Sequence, residues 1–278
     1  MLLRKLSATC LVLIACILLV SCGSGGGYGG GSSATLTLDG VYYGTLNPGS
    51  SMSANNNFAG AVGPGGHAYF FSSGVSTSNV LVYSSISGTG QVTSNMTDIP
   101  SSNVGGSPTS SSWQVSIVEN SSSNNYGGYG GYGPMSPPFA ITGTGMIGAA
   151  AENFSISYQT FSDTSSTIAS LAGSYQGSDI TRVTAATLTV SSAGALTGTD
   201  GLGCALSGTL TQDPDKDVFV VSMNITGSGA CPGAMSGEAF VTNNDISGVF
   251  SGAAGTYLYI VSANAGLTAA STLELKLQ

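Results

Sequence analysis

Short apolar runs, broken by glycine, asparagine and serine, recur along the whole chain. The last of them, Thr272–Leu277, alternates apolar and polar residues, and this period of two places the apolar side chains on one face of a strand. Alanine, leucine, glutamate and lysine never gather into a ten-residue helical pattern. Many short strands separated by turn residues are typical of an all-β sandwich or barrel. The other predicted strands are Ala68–Phe71, Val80–Tyr83, Gln114–Val118, Phe154–Tyr158, Thr187–Val190, Val218–Met223 and Tyr257–Val261.

Three short segments of the first half recur in the second half in the same order. The offset is 133 residues for the first match and 138 for the other two. This repetition predicts a duplication, with β-domains over 35–160 and 168–278 and a polar join over 161–167. The matches are Gly40–Gly44 with Gly173–Gly177, Phe58–Gly63 with Leu196–Gly201, and Asn79–Ser84 with Asp217–Ser222.

The 42 glycines favour small antiparallel barrels over open sheets. A closed barrel has no exposed strand edge, and its strands bend at corners where glycine fits best. The glycine–aromatic–glycine pattern that opens each half resembles the first strand of calycin (lipocalin-like) barrels. We therefore predict two tandem small antiparallel β-barrels, while the sequence leaves open whether the halves close separately or share one barrel.

The N-terminus has the pattern of a secretory signal, predicted over 1–21. Arg4 and Lys5 precede the uncharged apolar stretch Leu11–Val20, which is shorter than the roughly 20 residues of a membrane-spanning helix. Leu19-Val20-Ser21-Cys22 resembles the lipobox of bacterial lipoproteins, and so does Leu13-Ile14-Ala15-Cys16. In that family the cysteine thiol carries a diacylglyceryl group, the signal is cut before the cysteine, and the new amine is acylated.

The flanking residues favour Cys22 over Cys16 as the lipid-attachment site. Cleavage before Cys22 uses the full apolar run and leaves a Gly/Ser-rich tether over 22–34, whereas cleavage before Cys16 leaves an apolar tag on the mature chain. By resemblance to Gram-negative lipoproteins, the lack of aspartate after Cys22 indicates the outer membrane. The predicted partner is thus a membrane, reached through palmitate-type acyl chains at Cys22, on a face that the sequence does not specify.

Charge and cysteine content narrow the classes of partner and the compartment. Only 6% of residues are charged and the net charge is −8, so the mature chain has too few cations to neutralise nucleic-acid phosphates or anionic lipids. Cys204 and Cys231 are the remaining mature cysteines. In an oxidising envelope this pair is expected to form a disulfide that stabilises the fold by about 3 kcal/mol.

The whole mature chain is similar to a family of Gram-negative lipoproteins with two β-domains. The residues that carry this resemblance are Ser170–Gly177, the Gly203-Cys204 pair, Ser207-Gly208-Thr209 and Cys231. The resemblance implies the fold and an outer-membrane location, and it implies no activity, cofactor or metal.

Candidate catalytic and metal-binding residues are few. His67 is the only histidine; it follows a glycine-rich turn, and the chain has no Gly-x-Ser-x-Gly nucleophile elbow. Asp213–Asp217 lacks the glycine and glutamate of an EF-hand loop and is interpreted as a hairpin turn, with calcium as the alternative. Paired carboxylates for glycoside hydrolysis could come from Asp39, Glu119, Glu152 or Glu238.

Aromatic residues mark a long loop and one predicted core position. Residues 120–138 form a long Gly/Tyr-rich loop whose tyrosines could bind sugars or a protein, or could form a plain insertion between strands. The single tryptophan, Trp113, precedes an apolar strand and is predicted in the core.

These observations predict a non-enzymatic, lipid-anchored outer-membrane lipoprotein with a structural or interaction role and no cofactor. The alternatives are a barrel that binds a small apolar ligand and, less favoured, an envelope hydrolase. Inward-pointing glycine and alanine would leave room for such a ligand, whereas inward leucine, phenylalanine and tyrosine would fill the barrel.

Overall fold

A computed structural model describes most of the chain from residue 38 onwards. The described residues are 38–48, 56–64, 66–73, 79–83, 90–100, 106–119, 139–147, 150–159, 166–213, 218–228, 230–243, 245–246 and 253–278. The predicted signal peptide, Cys22, the tether and the 120–138 loop lie outside these residues.

The first eight strands form an up-and-down antiparallel barrel. Each strand pairs with the next, and β1 also pairs with β8, which closes the sheet. The strands are β1 (Gly40–Pro48), β2 (Asn56–Val62), β3 (Ala68–Ser73), β4 (Asn79–Tyr83), β5 (Gly90–Pro100), β6 (Thr109–Glu119), β7 (Phe139–Ile147) and β8 (Ala150–Tyr158).

The last eight strands repeat this order in a second barrel, which a short 3₁₀ turn, Ile168–Leu171, precedes. Here β9 pairs with both β10 and β16 and closes the sheet. The strands are β9 (Gly173–Asp179), β10 (Thr184–Val190), β11 (Ala195–Asp200), β12 (Ala205–Gln212), β13 (Val218–Thr226), β14 (Gly233–Thr242), β15 (Tyr257–Ala263) and β16 (Ala270–Leu277). Each half therefore closes by itself, which answers the question that the sequence left open.

Period-two patterning explains why these segments are strands. In β13, for example, Val221, Met223 and Ile225 are buried in the barrel core, whereas Ser222 and Asn224 between them are exposed. All eight apolar runs identified in the sequence lie in strands. The all-β prediction is confirmed.

The interior of the first barrel is filled by aromatic rings. Phe58 stacks on Phe70 with ring centroids 5.2 Å apart, and Phe154 lies 5.4 Å from Phe58 and 5.6 Å from Trp113. Trp113 is fully buried, so its predicted place in the core is confirmed. The second barrel has its own core of aliphatic side chains with Tyr175 and Phe219 among them.

The opening strands of the two barrels are structurally equivalent, as the first sequence match predicted. The Tyr42 hydroxyl donates to the Leu38 carbonyl at 2.8 Å, and the Tyr175 hydroxyl donates to the Leu171 carbonyl at 2.9 Å. The other two matches do not align equivalent strands, because they relate the second strand of one barrel to the third of the other, and the fourth to the fifth. Short glycine-rich or apolar motifs recur in any strand with the same inside–outside pattern.

The two barrels pack against each other through their outer faces, along β2, β3 and β4 of the first and β14, β15 and β16 of the second. We call this contact the seam. Four rings follow one another across it: Phe71 stacks on Tyr259 at 5.8 Å, Tyr259 on Phe240 at 5.1 Å, and Phe240 lies 6.3 Å from Tyr43. The Asn57 side-chain amide also donates to the Ile246 carbonyl at 3.1 Å.

The seam buries the polar face of the last strand. Thr272 and Glu274 alternate with core leucines as the sequence predicts, yet both are fully buried. Their polar groups are paired within the protein: the Tyr259 hydroxyl donates to Glu274 at 2.6 Å, and the Thr181 hydroxyl donates to Thr272 at 2.9 Å. A polar face of a strand is therefore not always a solvent face in this protein.

Candidate functional site

The predicted disulfide is present and closes one end of the second barrel. The Cys204 and Cys231 sulfurs are 2.03 Å apart, and their Cα atoms are 5.9 Å apart. Cys204 immediately precedes β12 and is buried, while Cys231 lies just before β14. The bond links two connections between strands, across a separation of 27 residues.

Removal of this disulfide should destabilise the fold without unfolding it. We expect the Cys204→Ala/Cys231→Ala variant to lose about 3 kcal/mol of unfolding free energy, because the open loop gains conformational entropy in the unfolded state. Urea denaturation of oxidised wild type and variant measures the difference. The reduced wild type is the control and should resemble the variant; equal stability of oxidised and reduced wild type would contradict the prediction.

A buried ionic cluster lies at the same end of the second barrel. Arg182, in the turn between β9 and β10, donates through Nη1 to Asp200 at 2.5 Å, and the same atom lies 4.0 Å from Asp179. Its Nη2 also donates to Cys204 Sγ at 3.2 Å. Asp200 accepts further hydrogen bonds from the backbone N–H groups of Leu202 and Cys204. Arg182 thus neutralises two carboxylates that point into the end of the barrel.

Asp179 is the more deeply buried of the two aspartates. It accepts hydrogen bonds from the Ser271 hydroxyl at 2.7 Å and from the backbone N–H groups of Arg182 and Thr272. Burial raises the pKa of Asp179 to about 6, against the opposing effect of these hydrogen bonds and of the Arg182 charge. The cluster is a structural closure rather than an open site, because its polar atoms are already engaged with one another.

Two carboxyl groups point into the corresponding end of the first barrel. Asp98, near the end of β5, and Glu152, near the start of β8, are only 6% and 9% exposed. They share faces with the core residues Met96 and Phe154. Burial raises the pKa of Asp98 to about 6, and the nearby Glu152 charge contributes to the rise. We call this pair the first-barrel carboxyl pair.

A third buried carboxyl, Glu238, lies in the seam. It projects from the outer face of β14, is 4% exposed, and its Oε2 has no hydrogen-bond partner within the described residues. A Cβ atom at Gly63 in the first barrel would lie 2.1 Å from Glu238 Oε1, so the glycine is what admits this carboxyl. Burial raises the pKa of Glu238 to about 8, and the charges of Asp39 and Asp213 add to the effect.

This carboxyl should make the stability of the protein depend on pH. The pKa of Glu238 is raised on folding from 4.5 to about 8, so the folded state binds the proton more tightly than the unfolded state. Its contribution is full below pH 4.5 and is lost as the pH rises through 8. We expect Glu238→Gln to be more stable than wild type at pH 9 by about 2 kcal/mol. This difference is smaller than the whole pKa shift would give, because a slight opening of the seam would let water reach the ionised carboxylate.

Urea unfolding of both proteins at pH 5 and pH 9 tests this expectation. At pH 5 the neutral amide and the protonated carboxyl should give similar stabilities, so the gap should open only with rising pH. Asp245→Asn provides a matched loss of one negative charge at a half-buried position. A gap of the same size at both pH values would contradict the assignment to Glu238 ionisation.

A cleft of about 350 Å³ lies beside the seam, where the end of β5 meets the disulfide end of the second barrel. Ile99 and Pro100 come from the first barrel, and Leu202, Cys231 and Pro232 come from the second. Arg182 also borders the cleft, but its guanidinium is held by Asp200. The cleft is therefore an apolar depression between the barrels and not the interior of either one.

His67 and Asp213, which the sequence suggested for catalysis and metal binding respectively, lie in turns between strands. His67 is exposed in the turn between β2 and β3, where its carbonyl accepts from Gly63 N–H at 2.9 Å. Asp213 N–H donates to the Val218 carbonyl at 3.0 Å, which agrees with a hairpin, while 214–217 lie outside the described residues. Within the part of the chain that the structure describes, no group of three His, Cys, Asp or Glu side chains could hold a metal ion.

Of the carboxylates that were considered for glycoside hydrolysis, Glu152 is apart from the other two that the structure describes, and the Glu119 side chain lies outside the described part of the chain. Glu152 lies inside the first barrel and Glu238 in the seam, while Asp39 is half-buried near Glu238. The sequence did not single out Asp98 or the Asp179–Arg182–Asp200 cluster. Asp98 could have been found, because it follows Ser94 and Met96 at intervals of two and therefore shares their face of the strand.

The fold and these clusters define an all-β protein of two eight-stranded up-and-down barrels that are joined by an aromatic seam. A disulfide closes one end of the second barrel. Among the described residues, no helix is long and apolar enough to cross a membrane. The chain matches no protein-family model, no curated protein and no solved structure.

Proposed function

We propose that this protein is a lipid-anchored lipoprotein of the outer membrane whose two barrels form a structural or interaction module. The main support for a structural or interaction role is that bulky inward side chains fill both barrels, as in the Phe58, Phe70 and Phe154 cluster. A filled barrel presents its outer surface and ends to a partner rather than an internal cavity to a ligand.

The up-and-down order of eight strands supports the resemblance to calycin-like barrels, in which this order is usual. The disulfide supports an oxidising compartment, since such bonds persist outside the cytosol. Anchoring at Cys22, palmitate-type acylation and the outer-membrane location rest on the N-terminal sequence alone.

Radiolabelled palmitate tests the anchor. We expect Cys22→Ser to abolish labelling, because that thiol is the proposed acceptor, and Cys16→Ser to retain it. If labelling is lost only with Cys16→Ser, the lipid is attached at Cys16 instead. If wild type and both variants are all unlabelled, the proposed lipid anchor is wrong.

The alternative of an apolar ligand inside a barrel is tested independently of the anchor. Native mass spectrometry of the protein purified from its own host should show the mass of the covalent chain with no further bound molecule, whether or not the chain is acylated. A co-purified apolar molecule that is displaced when an inward residue such as Leu258 is replaced by tryptophan would favour the ligand-binding alternative.

A further inference from the structure

Asp98, one member of the first-barrel carboxyl pair, is a buried carboxyl whose hydrogen bonding is incomplete within the described residues. Asp98 and Glu152 both point into the barrel at the end where β1 finishes and β8 begins. Asp98 is 6% exposed, and its Oδ1 accepts no hydrogen bond within the described residues. A buried carboxyl oxygen without a donor is unfavourable unless a proton or a cation is supplied.

The second barrel shows how this protein completes such a site. The same topological end holds Asp179 and Asp200, and Arg182 neutralises both. The two ends correspond residue by residue, since Gly44 pairs with Ile156 as Gly177 pairs with Leu275. By this register Glu152 occupies the position of Ser271, which donates its hydroxyl to Asp179.

The first barrel has no cation of its own to play this part. No lysine or arginine occurs in the sequence between Lys5 and Arg182, so the whole of the first barrel is free of them. In particular, residues 49–55, which connect β1 to β2 as the Arg182 turn connects β9 to β10, read GSSMSAN. Arg182 itself is held in the second barrel by Asp200 at 2.5 Å.

The end of the first barrel is close to solvent on the Asp98 side. Thr109, the register partner of Asp98 on β6, is exposed, although Asp98 itself is buried. Because directly paired residues point to the same face of a sheet, the exposure of Thr109 indicates that solvent reaches this end of the barrel beside Asp98. The planar fork of a guanidinium can bond two carboxyl oxygens at once, whereas an ammonium acts as a point charge.

We propose that the first-barrel carboxyl pair binds a guanidinium group supplied from outside the barrel, in the role that Arg182 has in the second barrel. The guanidinium belongs either to an arginine of a partner protein or to a small free guanidine. The proposal goes beyond the proposed function and does not depend on the lipid anchor. It accounts for two carboxyl groups in an otherwise apolar interior.

Isothermal titration of the full-length protein in detergent, at pH 8, tests the proposal with two isosteric probes. N-acetyl-arginine N-methylamide carries the guanidinium, and the citrulline analogue has the same shape without the charge. We expect the citrulline probe to bind at least about 10-fold more weakly, as the loss of a charge-assisted hydrogen bond predicts. Agmatine serves as the free-guanidine probe: binding equal to that of the capped arginine indicates that the guanidinium alone is recognised, and weaker binding indicates a polypeptide source.

The variants assign the binding to the carboxyl pair. Asp98→Asn should weaken binding of the arginine probe at least about 10-fold, whereas Asp245→Asn, which removes one carboxylate at a half-buried position, should leave it unchanged. Binding should also weaken below about pH 6, where Asp98 is protonated. If Asp98→Asn does not fold, Glu152→Gln replaces it, and the comparison of the two probes on wild type stands regardless. Equal affinity for arginine and citrulline probes, or no binding of the arginine probe at about 10 mM, would overturn the proposal.

Discussion

Gly177→Ala is expected to destabilise the second barrel by more than about 3 kcal/mol, beyond the usual range for an overpacked residue. A Cβ atom at Gly177 would lie 1.9 Å from the backbone carbonyl oxygen of Glu274 and 3.0 Å from the Leu275 Cα. Those atoms belong to β16, the strand whose pairing with β9 closes the barrel. Since the clash is with backbone, no side-chain rotation can relieve it, and the closing ladder must separate.

The first barrel offers an internal replicate of this experiment. Gly44 has the equivalent position, and a Cβ there would lie 1.9 Å from the Ser155 carbonyl oxygen. Gly266→Ala is the matched control, because its Cβ would have only ordinary contacts, at 3.7 Å from Thr268. Urea denaturation followed by far-UV circular dichroism measures all three variants. If Gly177→Ala and Gly266→Ala lose the same small amount, the close approach of β9 and β16 does not hold in solution.

The glycine pattern was the most informative part of the sequence for the fold. It predicted closed barrels with bent strands, and Gly44 and Gly177 are the points at which the first and last strands approach each other. The period-two runs located the strands because burial inside a barrel affects every second residue. The disulfide also followed from the sequence, since Cys204 and Cys231 are the only cysteines after Cys22.

The sequence could not predict the seam, because the pattern of one strand does not reveal what covers its outer face. Thr272 and Glu274 have the alternation of a solvent-exposed face, and only the packing of the first barrel against β16 buries them. Glu238 was considered among scattered acids, but its unusual environment arises from Gly63, which is 175 positions away in the sequence. Long-range packing of this kind has no local signal.

The two buried carboxyl clusters were missed for a related reason. Asp98 and Glu152 lie on different strands, and their proximity depends on the register of the whole barrel. Arg182 was counted in the sequence as one of three scattered cations, yet the fold makes it the centre of an ion-pair cluster with Asp179 and Asp200. The contrast between a barrel end with its own arginine and one without became visible only when both ends were compared in register.

Arg182→Met is expected to reduce the free energy of unfolding by about 3–5 kcal/mol at pH 8, the effect of removing one partner from a buried ionic cluster. Methionine keeps most of the side-chain volume, so the loss reports the charge and the hydrogen bonds rather than a cavity. Without Arg182, Asp200 keeps the backbone donors of Leu202 and Cys204, but its Oδ2 loses the guanidinium at 2.5 Å.

The loss should shrink as the pH falls, which separates this mechanism from a packing defect. The pKa of Asp179 is already raised to about 6 with Arg182 present, and removal of the cation raises it further. A carboxyl with a raised folded-state pKa is most stabilising when protonated, so the variant should recover part of its deficit between pH 8 and pH 5. Lys276→Met is the matched control, because it also removes one positive charge, at a half-buried position where the ammonium lies 5.7 Å from the Tyr257 ring. It should lower the free energy of unfolding by less than about 1 kcal/mol. A deficit for Arg182→Met that is the same at both pH values, or no larger than that of Lys276→Met, would show that the two aspartates do not depend on Arg182 for their charge.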